Sequence, residues 1–193
     1  MTIVMNMTWA GVTAAQYDAV RRASGFEEAP PQGGILHIAR CDSNGLAVTD
    51  VWESAEAFDA FVGTRLMPAV ASVGIEAEPV VSVVPCVDLQ INTLPSRVHC
   101  IVVDITLPIT VAQYEDLRTK GDWVANPPIG GISHVVWHDD AGIHSLDTWR
   151  TIEDCATFGE TRLFPAMQSL GWPVPDGPPP ATTPHSWYHP AGG

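Results

Sequence analysis

The fold is decided by a stretch that reads Gly33-Gly34-Ile35-Leu36-His37, then Asp50-Val51-Trp52-Glu53-Ser54, then Arg65-Leu66-Met67-Pro68-Ala69. The pattern returns 97 residues later as Gly130-Gly131-Ile132-Ser133-His134, Asp147-Thr148-Trp149 and Arg162-Leu163-Phe164-Pro165-Ala166. Residues 12–74 match residues 109–171 without a gap, and 24 of the 63 aligned positions are identical. The chain is therefore a tandem duplication, and each copy is long enough to bury a core of its own.

The first half of each copy predicts a strand followed by a capped helix. Ile3 to Trp9 is an apolar run with interleaved polar residues, which is typical of a strand. Thr13 to Gln16 fits a capping box, and the same signal recurs at Thr110 to Gln113. Gly25 can end the first helix in a left-handed conformation.

The second half of the copy predicts two strands, a helix and a last strand. Ile35 to Arg40 and Leu46 to Trp52 are extended runs joined by an Asn-Gly turn, which is a strong hairpin signal. Ser54 can cap a second helix, which Pro68 breaks or restarts. Val80 to Val84 is the last strand. The order strand, helix, strand, strand, helix, strand is ferredoxin-like, so the predicted class is α+β.

The predicted domains are residues 1–89 for the first ferredoxin-like repeat, 90–97 for a linker and 98–193 for the second repeat. A Pro-rich insertion at 173–180 delays the last strand of the second repeat to about Thr183 to Tyr188. Both helices of such a repeat cover one face of its sheet, and the other face needs a cover. We expect the two sheets to supply it to each other as a single-chain pseudo-dimeric α/β barrel. Whether these pseudo-dimers pair further is left open.

Composition excludes several classes of partner. The chain has 9 Lys or Arg against 22 Asp or Glu, a net charge of −13, so it should repel the phosphates of nucleic acids and anionic membranes. It has neither an apolar run long enough to span a membrane nor a secretory signal, and a cytoplasmic location is expected. The four cysteines show no C-x-x-C spacing and are interpreted as free thiols.

Two histidines at matching places are the candidate catalytic groups. His37 and His134 lie in apolar strands, and imidazole titrates near neutral pH. Asp50 and Asp147, on the neighbouring strand, are their candidate carboxylate partners. We expect the two histidines to face one lumen between the sheets. The alternative, in which each histidine is a core residue satisfied by backbone or by a carboxylate, stays open.

Other residues are candidates for binding a substrate. Asn6 and Arg40 could stabilise an oxyanion, whereas Trp52 and Trp149 more often fill a core than touch a ligand. The second copy adds Trp137 and His144 where the first has Arg40 and Ala47. His138 lies in a loop and His144 has the opposite strand parity from His134, so no metal site is predicted. Tyr17 with Arg21, and Tyr114 with Arg118, are predicted to stack at the surface.

These motifs resemble the dimeric α/β barrel superfamily, which includes antibiotic biosynthesis monooxygenases, aromatic polyketide cyclases, muconolactone isomerases and haem-degrading enzymes. The resemblance covers nearly all of both copies and implies the fold, but this fold hosts many chemistries. Asn6 lies on the first strand, where the haem-degrading branch also has an asparagine, and this is a further resemblance. The second helices, Phe58 to Met67 and Cys155 to Phe164, contain no histidine to ligate iron, so haem is disfavoured and no cofactor is expected.

Two hypotheses follow from different classes. The first is a cofactor-independent monooxygenase-like or cyclase-like enzyme that transfers a proton on an apolar aromatic or polyketide-like small molecule. The second is a non-catalytic carrier of an apolar ligand, or a barrel filled by its own side chains. A cavity of about 300 Å³ or more that contains either histidine would favour ligand binding.

Overall fold

The computed structural model describes residues 1–92, 99–177 and 179–190 of the 193-residue chain. These residues belong to two compact units. The first unit comprises residues 1–85 and the chain from Pro184 onward, and the second unit comprises Cys86–Thr183. The fold class is α+β, with a ferredoxin-like order of elements in each repeat.

The first unit contains the whole element series predicted for the first repeat. Its elements are β1 (Ile3–Ala10), α1 (Ala14–Ala23), β2 (Gly34–Asp42), β3 (Gly45–Trp52), α2 (Ala55–Phe61), a π-helical turn (Val62–Leu66), α3 (Met67–Val73), the first part of β4 (Val80–Ile91), and β9 (Ser186–Tyr188). The strands form an antiparallel sheet in the order β4-β1-β3-β2-β9. Asp50 in β3 lies opposite both Met5 in β1 and His37 in β2.

The second unit, Cys86–Thr183, repeats this arrangement with its own set of elements. Its elements are the end of β4, then β5 (Ile101–Leu107), α4 (Val111–Gly121), β6 (Gly131–Asp139), β7 (Gly142–Trp149), α5 (Ile152–Phe158), a π-helical turn (Gly159–Leu163), α6 (Phe164–Ser169), and β8 (Ala181–Thr182). The antiparallel order is β8-β5-β7-β6-β4. Asp147 in β7 lies opposite His134 in β6, as Asp50 lies opposite His37.

Local sequence explains how the helices begin and continue. The side chains of Thr13 and Thr110 each complete a capping box at the start of α1 and α4, as predicted. Pro68 does not break its helix. A π-helical turn precedes it, and the amide of Met67 bonds back five residues to Val62 rather than four. The wider turn moves the carbonyl that the proline ring would otherwise meet, so α3 continues from α2.

The strand ends differ from the sequence prediction. β4 continues to Ile91 instead of ending at Val84, so residues 90 and 91 of the predicted linker are strand. Residues 93–97 of that linker lie outside the described residues. The last strand predicted near Thr183 to Tyr188 is two short strands, β8 at Ala181–Thr182 and β9 at Ser186–Tyr188. The prediction ended the strand with the apolar run at Val84.

The core of each unit lies between its sheet and its helices. In the first unit, Met5, Met7 and Trp9 of β1 pack with Tyr17 of α1 and Phe58 of α2. In the second unit, Tyr114 and Leu117 of α4 pack with Met167 of α6. None of the helices in the described ranges is long and apolar enough to cross a membrane.

Candidate functional site

Three side chains form a hydrogen-bonded chain in the second unit. The imidazole of His134 in β6 contacts the carboxylate of Asp147 through Nδ1 and the hydroxyl of Tyr114 through Nε2, the latter at 2.8 Å. Tyr114 comes from α4 and is 3% exposed, and Asp147 also accepts a hydrogen bond from Ser145 at 2.9 Å. We call Tyr114, His134 and Asp147 the second-unit triad.

A fourth residue, Asp88 at the end of β4, extends this chain. The hydroxyl of Tyr114 donates to Oδ2 of Asp88 at 2.7 Å. Asp88 also forms an ion pair with Arg118 of α4 at 3.5 Å, and its carboxylate lies 3.9 Å from Nε2 of His134. The histidine ring therefore lies close to two carboxylates, those of Asp147 and Asp88.

The direction of the hydrogen bonds follows from counting protons. A carboxylate paired with arginine only accepts, so the single proton of the Tyr114 hydroxyl points at Asp88. Nε2 of His134 can then bond the phenol oxygen only by donating to it. Nδ1 donates to Asp147, so both ring nitrogens carry protons and His134 is an imidazolium.

The pKa shifts agree with this pattern. Burial by itself lowers the pKa of His134, but the carboxylates of Asp147 and Asp88 outweigh it, and the net pKa of His134 is raised above its ordinary value. Burial and the neighbouring Asp88 raise the pKa of Tyr114 far above the ordinary value for a phenol. The tyrosine thus stays protonated, and the shift favours the charged form of the histidine beside it.

The second-unit triad lies on the wall of a cavity of about 320 Å³. The cavity is mostly apolar, and helices, strands and the Pro-rich segment all contribute to it. Its lining includes Val103, Ile105, Leu117, Trp123, Ile143, Cys155, Phe158 and Pro175. A volume of this size is at the lower end of the range for small-molecule sites.

Trp123 gives this cavity a feature with no counterpart in the first unit, where Phe26 is aligned with it. Its indole Nε1 is buried and has no hydrogen-bond partner in the described part of the chain, as is also the case for Trp52 and Trp149. The neighbouring Gly121 makes room for the ring, since a Cβ there would lie 2.2 Å from Trp123 Cζ3. A buried donor without a partner is unfavourable, and a ligand acceptor could satisfy it.

The first unit holds an equivalent triad of Tyr17, His37 and Asp50. Nε2 of His37 contacts the Tyr17 hydroxyl at 2.7 Å, and Nδ1 contacts Asp50 at 2.6 Å. Burial raises the pKa of Tyr17 to about 12. The cavity beside this first-unit triad, however, has a volume of only about 60 Å³.

Larger side chains account for the smaller cavity. The strand registers align Met5 with Val103, Met7 with Ile105 and Trp9 with Leu107, and the repeat aligns Val48 with Ser145, Phe58 with Cys155 and Val62 with Gly159. At all of these positions except Met7, which has about the volume of Ile105, the first unit has the bulkier residue. Tyr188 of β9 adds a further aromatic ring, which packs on Phe26 in the same core.

The two histidines do not face one lumen, so that expectation was wrong. Each bonds a tyrosine from the first helix of its own unit and therefore lies on the helix-covered face of its own sheet. Strand alternation correctly grouped His37 with Ala39, but it does not say which group the helices cover. The contacts of His37 with Asp50 and of His134 with Asp147 are those expected from the sequence.

The predicted substrate-binding residues are divided between the two faces. Trp149 lines the larger cavity, and Trp52 is buried against Phe58 and Phe61. The strand parity of Asn6 and Arg40 is opposite to that of Met5 and His37, and Asn6 accepts a hydrogen bond from Thr49. Trp137 stacks on His144, which contacts Asp139, again with parity opposite to His134. Within the described ranges, no group of three or more potential ligands is placed to hold a metal ion.

Sequence reasoning missed the roles of two tyrosines and two arginines. Tyr17 and Tyr114 are buried partners of the histidines, not surface residues, although Arg21 does lie over the Tyr17 ring, with its Cζ 6.0 Å from the ring centroid. Their identity in both copies, one turn after a helix cap, was an available signal. Arg65 and Arg162 bond carbonyls after or at the end of the first helix of each unit, namely Ser24, Gly25, Gly121 and Asn126.

The whole chain resembles several crystal structures. A candidate monooxygenase from Fusobacterium nucleatum matches with a TM-score of 0.73 and 7% identity over 99% of this chain and 95% of that chain. A candidate monooxygenase from Lactobacillus acidophilus matches with a TM-score of 0.68 and 10% identity over 98% and 97%. An anthrone oxidase-like protein matches with a TM-score of 0.51 and 15% identity over 97% and 91%.

The chain has the dimeric α/β barrel fold. Both repeats lie in one polypeptide. At these identities the likeness concerns the fold and not the reaction. No family model matches the sequence, and neither does any curated protein.

Proposed function

We propose that the second unit is the active unit of a cofactor-independent enzyme, monooxygenase-like or cyclase-like, that acts on an apolar aromatic or polyketide-like small molecule. The observation that carries this proposal is the cavity of about 320 Å³ with the second-unit triad on its wall. An apolar cavity binds the ring system, and the few polar groups select and activate one oxygen or acidic carbon.

The proposed chemistry begins with a proton transfer. His134 as an imidazolium has no lone pair to accept a proton. His134 and Asp147 therefore exchange the roles that the sequence predicted for them. The carboxylate of Asp147, which lines the cavity, accepts a proton from the substrate, and the positive charge of His134 stabilises the resulting enolate or phenolate. Ser145 and the ring of His134 hold that carboxylate in place.

The anion then reacts in one of two ways. In an oxygenation, dioxygen from solution oxidises a ring CH₂ to a carbonyl, so that one molecule of O₂ gives one C=O and one water. In a cyclisation, the anion attacks an electrophilic carbon of the same molecule and no oxidant is consumed. The names of the structural neighbours, two candidate monooxygenases and one anthrone oxidase-like protein, favour the first course.

The test uses anthrone as the probe, because its oxidation to anthraquinone consumes one O₂ and releases one water. Oxygen uptake and anthraquinone formation are measured for the wild type, His134→Gln and Asp147→Asn. The expected loss for each variant is about 10²-fold to 10⁴-fold, the usual contribution of acid–base catalysis. The matched controls are His37→Gln and Asp50→Asn, which should change turnover by less than about threefold because their cavity is filled.

The same experiment separates the enzyme from a carrier. Quenching of tryptophan fluorescence by anthrone, lost in a cavity-filling variant, would show binding in the second unit because Trp123 lines the cavity. Binding without turnover of anthrone or of related enolisable ketones would favour the carrier. Equal loss of turnover in His37→Gln and His134→Gln would contradict the assignment of the reaction to the second unit.

A further inference from the structure

We infer that Asp88 is a positioning residue that holds His134 in the doubly protonated state by fixing the direction of the Tyr114 hydroxyl. The inference rests on the proposed function in one respect, because it explains why the second unit has a cationic histidine beside its cavity. Asp88 itself reaches the triad through Tyr114 and does not line the cavity.

The two units differ in the residue beside the tyrosine hydroxyl, which is Asp88 in the second unit. The strand pairings place Asp88 opposite Val136 and Ser186 opposite Ala39, and Val136 and Ala39 are aligned in the repeat. Ser186 therefore occupies in the first unit the position that Asp88 occupies in the second. Arg118 forms an ion pair with Asp88, and the aligned Arg21 hydrogen-bonds Ser186.

A serine hydroxyl and a carboxylate act differently on the tyrosine. Ser186 carries a proton of its own and can donate it to Tyr17, which leaves the phenol proton free to point at Nε2 of His37. Asp88 can only accept, so the phenol proton of Tyr114 is committed to it. His37 can thus be neutral with its hydrogen bonds intact, whereas His134 keeps both of its bonds only as an imidazolium.

The charged groups that act on the pKa of His134 lie on three elements that surround it, β7, β4 and α4. Asp147 lies on β7 and Asp88 on β4, and both favour the charged ring. Arg118 on α4 lowers the pKa of His134, but by less than Asp88 raises it. The hydroxyl of Tyr114 contacts Nε2 of His134. The rings of Trp123 and His134 pack edge-on, with their centroids 6.2 Å apart.

The closing experiment reads the protonation state of both histidines without any substrate. The ring nitrogens of ¹⁵N-labelled protein are followed by NMR through a pH titration, with His37→Gln and His134→Gln used to assign the signals. In the wild type both nitrogens of His134 should be protonated at neutral pH. In Asp88→Ser, which gives the second unit the residue of the first, the pKa of His134 should fall by about one unit or more.

The reciprocal variant, Ser186→Asp, keeps the inference testable if Asp88→Ser does not fold. A carboxylate at position 186 beside Arg21 should commit the Tyr17 proton and convert His37 to the doubly protonated form. An unchanged pKa of His134 in folded Asp88→Ser, or an unchanged His37 in Ser186→Asp, would overturn the inference.

Kinetics with anthrone then separate this inference from the proposed function. Asp88→Ser should lower kcat by about tenfold or more with KM nearly unchanged, and shift the pH profile in step with the measured pKa of His134. If the NMR result holds and anthrone is not turned over, the proposed function fails and the role of Asp88 stands. If anthrone is turned over but the pKa of His134 is unchanged in Asp88→Ser, the inference about Asp88 is wrong and the proposed function stands.

Discussion

The two units carry the same Tyr-His-Asp triad, yet the cavity beside it is about 320 Å³ in the second unit and about 60 Å³ in the first. Hydrogen bonds between histidine and tyrosine and between histidine and aspartate are present in both. Besides the exchange of Asp88 for Ser186, the units differ in the size of the residues that line the cavity. A buried triad is therefore compatible with a packed core, and the space beside it decides whether a ligand can reach it.

Filling one cavity changes what its unit can contribute. In the first unit, Met5 and Phe58 line the small cavity beside His37, and with Tyr188 they belong to the apolar core that stabilises the fold. The second unit has smaller residues at those positions and leaves the apolar wall open. This predicts that the first unit mainly supplies stability and that the second supplies ligand binding.

The largest effect is expected when the first unit is given the small residue of the second. Phe58→Cys removes most of a buried ring, and the free energy of unfolding should fall by about 3 kcal/mol, since burial is lost and a cavity remains. Urea denaturation measures it. A fall below about 1 kcal/mol would mean that neighbouring side chains collapse into the space and that the first unit is less tightly packed than its core indicates.

The reverse substitution is the matched control for that prediction. Cys155→Phe places the ring of the first unit beside the open cavity of the second. It should leave the free energy of unfolding unchanged or raise it slightly, because the ring fills existing space. A strong loss of stability would contradict the larger volume of the second cavity.

How much of this could be read from the sequence depends on the scale of the question. The repeat and the capping boxes predicted the elements of both units, because a fixed offset and local hydrogen bonds are visible in one dimension. The contacts of His37 with Asp50 and of His134 with Asp147 followed from adjacent hairpin strands. The role of Asp88 could not be predicted, because Asp88 lies in the part of β4 beyond Val84, where the predicted strand ended.

The depth of each cavity was also invisible in the sequence. The copies differ at many positions, and nothing in one dimension distinguishes Phe58 to Cys155, which changes the cavity, from Arg40 to Trp137, which lies on the other face. The helices cover the face that carries the histidines, and the tertiary contacts of Tyr17 with His37 and of Tyr114 with His134 show this. Volume is a sum over side chains from several elements, so it becomes readable only after folding.

The next effect concerns binding in the second unit and uses the same variant. Cys155→Phe should weaken the binding of anthrone by about tenfold to a hundredfold, or about 1.4 to 2.8 kcal/mol, because the added ring occupies space that the ligand needs. Fluorescence titration measures the Kd. A Kd within about twofold of the wild type would place the ligand elsewhere and remove the main support for the proposed function.

The smallest effect concerns pH and compares the wild type with His134→Gln. The pKa of folded His134 is raised above its ordinary value of 6.5, so the folded state binds this proton more tightly than the unfolded chain does. Its contribution to stability is fully present below about pH 6.5 and is lost as the pH rises through the folded pKa. The side chain of His134 is 20% exposed, and solvent screening keeps the effect small. The difference in unfolding free energy between wild type and variant, measured from about pH 5.5 to 8, should therefore shrink as the pH rises, and a difference that grows would mean that His134 is neutral in the folded state.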